Sequence, residues 1–115
     1  MTFWVTNWLR AFGLTLLVEL AIALRLLAPV EPRLSRLASV VVVANLATHP
    51  LVWFLVPGLA IGGGARLALS ETWAVLAELV IYRIVWPTLS RRRATLVSLA
   101  ANAASLVVGL VWARR

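Results

Sequence analysis

The sequence predicts an all-α integral membrane protein with four transmembrane helices, arranged as two tandem helical hairpins. Apolar residues make up 63% of the 115-residue chain, and the mean hydropathy of +0.97 is far above that of a soluble domain. Four largely apolar segments of about 20 residues are long enough to cross a bilayer. Stretches containing proline or glycine, which end helices, separate these segments. At this length we expect one domain, residues 1–115.

The first two segments have clear stop signals. The first runs from about residue 3 to residue 28, and the two prolines of the following turn cannot continue a helix. Ser35 is a suitable N-cap for the second segment, about 36–56, which ends at Pro57-Gly58. We interpret the first segment as a retained span rather than a signal peptide. No cationic region precedes it and no small-residue cleavage site follows it.

The last two segments are assigned in the same way. Ser70 is expected to cap the third segment, with Glu71 in its first turn, so that residues 61–65 form a flexible loop. This segment is expected to end at Trp86-Pro87. Ser90 is expected to cap the fourth segment, which runs from about 91 to 112.

The positive charge of the chain favours contact with lipid over contact with nucleic acid. All eleven cationic residues are arginines, the net charge is +7, and most arginines lie between or at the ends of apolar segments. The stretches 25–36 and 83–93 hold seven arginines and one glutamate. The positive-inside rule therefore predicts a multi-pass protein of a prokaryotic inner membrane with both loops in the cytoplasm and both termini outside.

An internal repeat is indicated by three ordered matches between the two halves of the chain. They align Glu19 with Glu78, the Pro-x-Leu-Ser-Arg stretch 32–36 with 87–91, and Asn45 with Asn102, at offsets of 59, 55 and 57 residues. Two of the matches carry polar residues, which are rare in such segments. We therefore predict a duplicated hairpin, with repeats at 1–57 and 66–115.

Polar residues inside the apolar segments are the candidate functional residues, because hydrocarbon makes unused polar groups costly. The candidate substrate- or ion-binding residues are Glu19, Asn45, Thr48, His49, Glu78, Tyr82 and Asn102. If the second and third helices are antiparallel around a loop at 57–70, His49 lies at the depth of Glu78. We therefore expect these two side chains to face each other as a pair.

Each candidate also has a structural interpretation. The two asparagines can tie helices together through amide hydrogen bonds, Asn45 between the first and second helices and Asn102 between the third and fourth. Thr48 and Ser105 can bond to carbonyl groups of their own helix. His49 can be a neutral histidine with satisfied hydrogen bonds. The glutamates are harder to explain structurally, since a charge at the centre of a membrane helix costs about 2.5–3.5 kcal/mol.

Enzymatic and cofactor chemistry is not indicated. Ser105 with His49 lacks any recognisable oxyanion hole, so we predict no enzyme activity. We predict no cofactor, although a haem or chlorin held by the single histidine is an open alternative. Whether a metal binds is left open, because one histidine and two carboxylates form a thin ligand set.

The residues Asn45-x-x-Thr48-His49-Pro50, followed by Glu71, Glu78 and Tyr82, resemble a pattern in small, uncharacterised prokaryotic four-span membrane proteins. Those proteins show Asn-x-x-Thr-[His/Asn]-Pro and then a glutamate-rich helix that ends in tyrosine. The resemblance covers residues 45–82 and implies no known activity. Chain length and span number are also similar to those of small multidrug resistance transporters, which place one essential glutamate in the first helix, where Glu19 stands. The second glutamate and the repeat depart from that family, so the likeness is architectural.

Two functions remain open from the sequence. The first is transport of a cation or of a proton-coupled solute through the glutamate, histidine and asparagine residues, in a homo-oligomer. The second is a structural or accessory role in a larger membrane complex, with the polar residues as links between helices. Cofactor or lipid binding through His49 is a third option. The expected partners are the lipid bilayer and either further copies of the chain or other membrane subunits, without nucleic acid.

Overall fold

A computed structural model, which describes residues 2–114, shows four long α-helices and no strands in that range. The helices are α1 (Phe3–Leu27), α2 (Leu34–Phe54), α3 (Gly63–Val85) and α4 (Arg91–Ala113), and a single 3-10 turn at Val56–Gly58 follows α2. The predicted all-α, four-helix architecture is therefore confirmed.

The four helices form a ring in chain order. α1 packs against α2 and α4, and α3 packs against the same two helices. Within the described residues, the diagonal pairs α1–α3 and α2–α4 make no close backbone contacts. A central space therefore remains between the helices, and side chains from α1 and α3 reach into it.

The predicted helix ends are right for α4 and wrong at the start of α3. Ser90 caps α4, because its Oγ accepts a hydrogen bond from the Arg93 backbone N–H at 3.1 Å. α3 begins at Gly63 and not at Ser70, so part of the expected glycine loop forms its first turn. Ser70 and Glu71 therefore lie about two turns inside the helix, on its inner side.

Ser35 also lies within a helix instead of capping one. α2 begins at Leu34 after an extended Arg33, and no side chain caps it. The Ser35 backbone carbonyl accepts a hydrogen bond from the Ser39 hydroxyl at 2.7 Å. Pro32 precedes this start, and a proline just before a helix is compatible with helix initiation.

The interior of the bundle is divided into an apolar half and a polar half. The buried apolar residues collect at the end that carries the α1–α2 and α3–α4 loops, where most arginines lie. They are Ala23, Leu27, Leu37, Val41, Ala44, Tyr82, Trp86, Leu89, Ala94 and Val97. This half is closed by packed side chains. The opposite half holds the polar groups and a cavity.

Two stretches are long and apolar enough to cross a membrane, Leu34–Gly58 and Arg91–Ala113. The expectation that all four helices meet this standard is not met. α1 and α3 are as long, but each carries charged residues within its length, namely Arg10, Glu19 and Arg25 in α1 and Arg66, Glu71, Glu78 and Arg83 in α3.

Glu31 joins the two loops at the arginine-rich end. Its carboxylate forms an ion pair with Arg36 at 2.9 Å and with Arg33 at 3.4 Å, and Trp86 Nε1 donates to it at 3.5 Å. Burial pushes the pKa of Glu31 upward, but hydrogen bonds from the Arg33 backbone N–H, from Trp86 and from the Arg33 side chain, together with the Arg33 charge, outweigh it. The pKa of Glu31 therefore lies below its usual value of 4.5.

Candidate functional site

Glu19 of α1 is held by Asn45 of α2. Asn45 Nδ2 donates to Glu19 Oε2 at 2.7 Å and also to the Val41 backbone carbonyl at 2.9 Å. Both Glu19 and Asn45 are only 1% exposed. This asparagine therefore links α1 to α2 through a buried hydrogen bond, as predicted for an inter-helix contact.

Glu78 of α3 is held in the same way by Asn102 of α4. Asn102 Nδ2 donates to Glu78 Oε2 at 2.6 Å and to the Ser98 backbone carbonyl at 2.9 Å. Ser98 Oγ makes a further hydrogen bond to the same carboxyl oxygen at 3.2 Å. In both hairpins an asparagine thus bonds a glutamate on the neighbouring helix and the carbonyl one turn back on its own helix.

The two carboxyl groups meet across the centre of the bundle. The Glu19 and Glu78 side chains lie within hydrogen-bonding distance of each other. Glu78 Oε1 is buried and receives no hydrogen bond from any donor in residues 2–114. Two touching carboxylates in a buried site cannot both be charged without a large repulsion, so the pair holds at least one proton.

A cavity of about 270 Å³ lies above this pair, in the half of the bundle remote from the arginine-rich loops. It lies between the middle of α1, the N-terminal half of α3 and the C-terminal halves of α2 and α4. Its polar lining residues are Thr15, Glu19, Asn45, Thr48, His49, Ser70, Glu71, Asn102 and Ser105. Glu19 lines the cavity, whereas Glu78 does not. No described arginine lines the cavity, and the two acidic side chains on its wall are those of Glu19 and Glu71.

The predicted His49–Glu78 pair is wrong. Trp8 Nε1 donates to His49 Nδ1 at 3.0 Å, and His49 Nε2 lies 3.4 Å from the Thr15 hydroxyl. Because Nδ1 accepts a hydrogen bond, the ring proton is assigned to Nε2, and the imidazole is neutral. Both ring nitrogens are engaged by α1.

The earlier start of α3 explains this error. The predicted pairing assumed that α3 began at Ser70, which placed Glu78 near its start. With α3 starting at Gly63, Glu78 lies about four turns into the helix, whereas His49 lies about one and a half turns from the end of α2. His49 instead shares the cavity wall with Ser70 and Glu71.

Aromatic side chains surround His49. Its ring lies near those of Phe12 and Trp53, with centroid distances of 5.4 and 6.2 Å. Trp8 packs in turn against Phe12 and Phe54, at 5.3 and 5.6 Å. This packing holds the imidazole between α1 and α2 and fixes its orientation at the cavity wall.

Thr48 and Tyr82, which the sequence grouped in one candidate site, lie in different halves of the bundle. Thr48 is buried and lines the cavity, but its hydroxyl bonds to the Ala44 carbonyl of its own helix at 3.2 Å, as the structural interpretation predicted. Ser105 likewise bonds to the Asn102 carbonyl at 3.1 Å. Tyr82 is part of the apolar half and packs against Trp86, with ring centroids 5.8 Å apart. Of the seven candidates, Glu78 and Tyr82 are the two that do not line the cavity.

Several residues of the site were not predicted from the sequence. No sequence signal sets Ser98 apart, because a serine in an apolar helix is common. In the structure it is fully buried and bonds Glu78. Ser70 and Glu71 resembled a helix start. Thr15 and Trp8 are linked to His49 only through the fold, since 34 and 41 residues separate them from it.

The arrangement does not provide a metal site within the described residues. Nowhere in 2–114 do three histidine, aspartate or glutamate side chains come together as ligands. The ligand combination that the sequence left open, His49 with Glu19 and Glu78, is not assembled, because both histidine nitrogens are used in hydrogen bonds to α1.

Comparison with protein-family models, with curated proteins and with solved structures finds no match to this chain.

Proposed function

We propose that the chain is a small four-span membrane protein that transports a small cation, or a solute coupled to proton movement. The observation that carries the proposal is the cavity that ends at a buried carboxyl pair. Polar groups line this cavity on one side of the pair, and a packed apolar half lies on the other side.

The distribution of polar and apolar side chains supports a membrane location. Large apolar residues are exposed on the outside of every helix, including Leu17 at 69%, Ile84 at 72% and Val111 at 63%. Glutamate, asparagine and serine side chains are buried inside. A soluble bundle places these classes the other way round, whereas lipid favours this one. The charged residues of α1 and α3 at mid-helix then face the bundle interior and not lipid.

The shape of the interior supports a one-sided pathway. By the positive-inside rule, the arginine-rich end lies in the cytoplasm, so the cavity lies on the outer side. The packed residues around Leu27, Leu37 and Trp86 separate the carboxyl pair from the cytoplasmic end. A pathway blocked on one side and hydrated on the other is what alternating access requires of each end state.

The wall chemistry supports a small cationic solute. Glu19 and Glu71 contribute carboxyl groups, while no described cationic side chain lines the cavity. A volume of about 270 Å³ lies just below the usual range of about 300–1,000 Å³ for ligand sites, so the solute must be small. One chain builds this cavity alone, and the predicted homo-oligomer stays a prediction.

An accessory role in a larger membrane complex is the second candidate, and the hydrogen-bond network favours it. Each asparagine satisfies a glutamate on the neighbouring helix, which is the pattern of a polar link that holds a membrane bundle together. Under this function the cavity has no transported solute. Cofactor binding through His49 has less support, because its Nδ1 lone pair accepts the Trp8 hydrogen bond.

The test is proton flux in liposomes that contain the purified protein and an internal pH-sensitive dye. We expect a pH gradient to dissipate when sodium, potassium or small organic amines are added outside. Ala74 lines the cavity, so Ala74→Phe should block the flux by filling it. Ala103 is exposed on the outside of α4 and provides a matched control, so Ala103→Phe should leave the flux unchanged.

The outcomes separate the two functions. Flux that Ala74→Phe abolishes and Ala103→Phe preserves supports transport. Absence of flux for all cations, together with co-purification of a second membrane protein in mild detergent, contradicts transport and supports the accessory role.

A further inference from the structure

We infer that the two glutamates have different tasks: Glu19 is the carboxyl group that exchanges its proton for a cation, and Glu78 is a fixed hydrogen-bond donor that positions it. This inference rests on the proposed transport function. The sequence gives the two glutamates equivalent places in the two hairpins, and the hydrogen bonds to Asn45 and Asn102 are equivalent as well. The surroundings of the two glutamates are different.

Position relative to the cavity separates the two residues. Both carboxyl groups are buried, with Glu19 1% and Glu78 0% exposed, but Glu19 lines the cavity and Glu78 is absent from its wall. Below Glu78 lie Tyr82, Val97 and the rest of the apolar half. A proton or cation that arrives through the cavity therefore meets Glu19 first. A negative charge on Glu19 also faces the polar groups of the cavity wall, whereas a charge on Glu78 lies against the apolar half, where burying it costs more.

The hydrogen bonds define where the shared proton rests. Glu78 Oε2 accepts from both Asn102 Nδ2 and Ser98 Oγ, so it acts as the acceptor oxygen. Glu78 Oε1 has no protein donor in the described range, and the Glu78 carboxyl group lies within hydrogen-bonding distance of Glu19, so we place the proton of Glu78 on Oε1. A proton on Oε1 makes Glu78 a neutral acid that donates to Glu19. Glu19 then accepts from Glu78 and from Asn45, and can carry the charge.

The exchange step follows from this geometry. When a cation enters, the Glu19 carboxyl group releases its proton to cavity water, and the resulting carboxylate binds the cation. When the cation leaves, a proton from cavity water returns to Glu19. Glu78 keeps its own proton throughout, so one positive charge replaces another at a single site.

Other titratable groups near Glu19 are few. α3 presents Glu71 at the cavity wall, and Tyr82 lies beside the pair on its apolar side. α2 presents the neutral His49, and the α4 residues on the cavity wall include none that titrate. Glu71 is therefore the one other group whose charge must be controlled in a test.

Glutamine substitutions distinguish the two tasks. In Glu78→Gln, the amide oxygen can accept from Asn102 and Ser98 while the amide nitrogen donates to Glu19, so the fixed donor is preserved. In Glu19→Gln, the exchanging group is lost. Glu71→Gln serves as the control for a second carboxyl group on the same wall.

The experiment is labelling with dicyclohexylcarbodiimide, followed by mass spectrometry of the full-length protein in detergent micelles. The reagent adds to a protonated carboxyl group, whose proton passes to a carbodiimide nitrogen as the carbon–oxygen bond forms. We expect labelling at Glu19 that falls as the pH rises and no labelling at Glu78 at any pH. The Glu78→Gln and Glu71→Gln proteins should keep the labelling of Glu19.

Labelling of Glu78, or equal labelling of both residues, would overturn the inference, as would a Glu78→Gln protein that no longer labels at Glu19. Circular dichroism of each variant separates misfolding from loss of the exchanging group. Labelling does not require transport. If liposome flux is absent while Glu19 labels as expected, the transport function fails and the difference between the glutamates stands. If flux is present and unaffected by Glu19→Gln, the inference fails and transport stands.

Discussion

The asparagine–glutamate bonds should be the main polar contribution to the stability of the bundle. Asn45→Ala removes the donor to Glu19 at 2.7 Å, and Asn102→Ala removes the donor to Glu78 at 2.6 Å. An inter-helix hydrogen bond in a membrane bundle contributes about 0.6 kcal/mol and at most about 1.7. Asn45→Ala also leaves Glu19 Oε2 without this donor, which adds a penalty of about 1–3 kcal/mol, whereas in Asn102→Ala the bond from Ser98 Oγ to Glu78 Oε2 remains. We therefore expect Asn45→Ala to lower the free energy of unfolding by about 2–4 kcal/mol and Asn102→Ala by about 1 kcal/mol.

Equilibrium unfolding in mixed micelles of mild detergent and dodecyl sulfate, followed by circular dichroism, measures this change. Thr48→Val is the matched control, because the Thr48 hydroxyl bonds only within its own helix. Its loss should cost clearly less than either asparagine substitution. The reasoning is refuted if both asparagine variants unfold at the same detergent fraction as Thr48→Val. A larger cost for Asn102→Ala than for Asn45→Ala would also contradict the reasoning, because Ser98 still bonds Glu78 in the former.

Three further predictions concern other parts of the chain. The sequence contains no cysteine, so single cysteines placed at Ala65 and at Arg92 should react with an impermeant maleimide from outside and from the cytoplasm respectively. Equal labelling of both from outside would contradict this single orientation and indicate that the chain inserts in both orientations. The lowered pKa of Glu31 means that its contribution to stability is present above its unfolded pKa of 4.5 and is lost as the pH falls through the lower folded value. The thermal unfolding temperature of Glu31→Gln should therefore lie below that of the natural chain at neutral pH and converge with it in acid. An equal difference at all pH values would show that the ionised carboxylate is not responsible. Trp8→Phe removes the hydrogen bond to His49 Nδ1 and should lower the free energy of unfolding by about 1 kcal/mol. In this variant, ¹⁵N NMR of the imidazole should show the loss of a fixed Nε2-protonated tautomer. An unchanged spectrum would contradict the assigned bond.

Much of the architecture could be predicted from local sequence signals. Apolar segments of about 20 residues predict long helices wherever they occur, and Pro57, Pro87 and the Ser90 cap mark ends that the structure confirms. The recurrence of Glu and Asn in both halves also led to the correct helix pairs for Asn45 and Asn102. These features depend on nearby residues or on the cost of burying polar groups in an apolar helix, and both can be judged without knowing the fold.

The register of α3 and the partners of His49 were decided by the tertiary structure. A cap such as Ser70 contributes only about 1 kcal/mol, whereas packing of a whole helix contributes more, so α3 extends back to Gly63 and carries Ser70 and Glu71 into the cavity wall. His49 bonds Trp8 and Thr15, which are remote in the sequence and adjacent only because α1 lies beside α2.

The difference between Glu19 and Glu78 likewise depends on the whole bundle. Both residues occupy matching places in the sequence, and each is bonded by an asparagine. Only the position of the cavity, which four helices create together, leaves Glu19 on its wall and Glu78 behind it. Sequence determines which side chains can carry a proton in an apolar helix. Access to water, which determines which of them can exchange it, is a property of the packed helices.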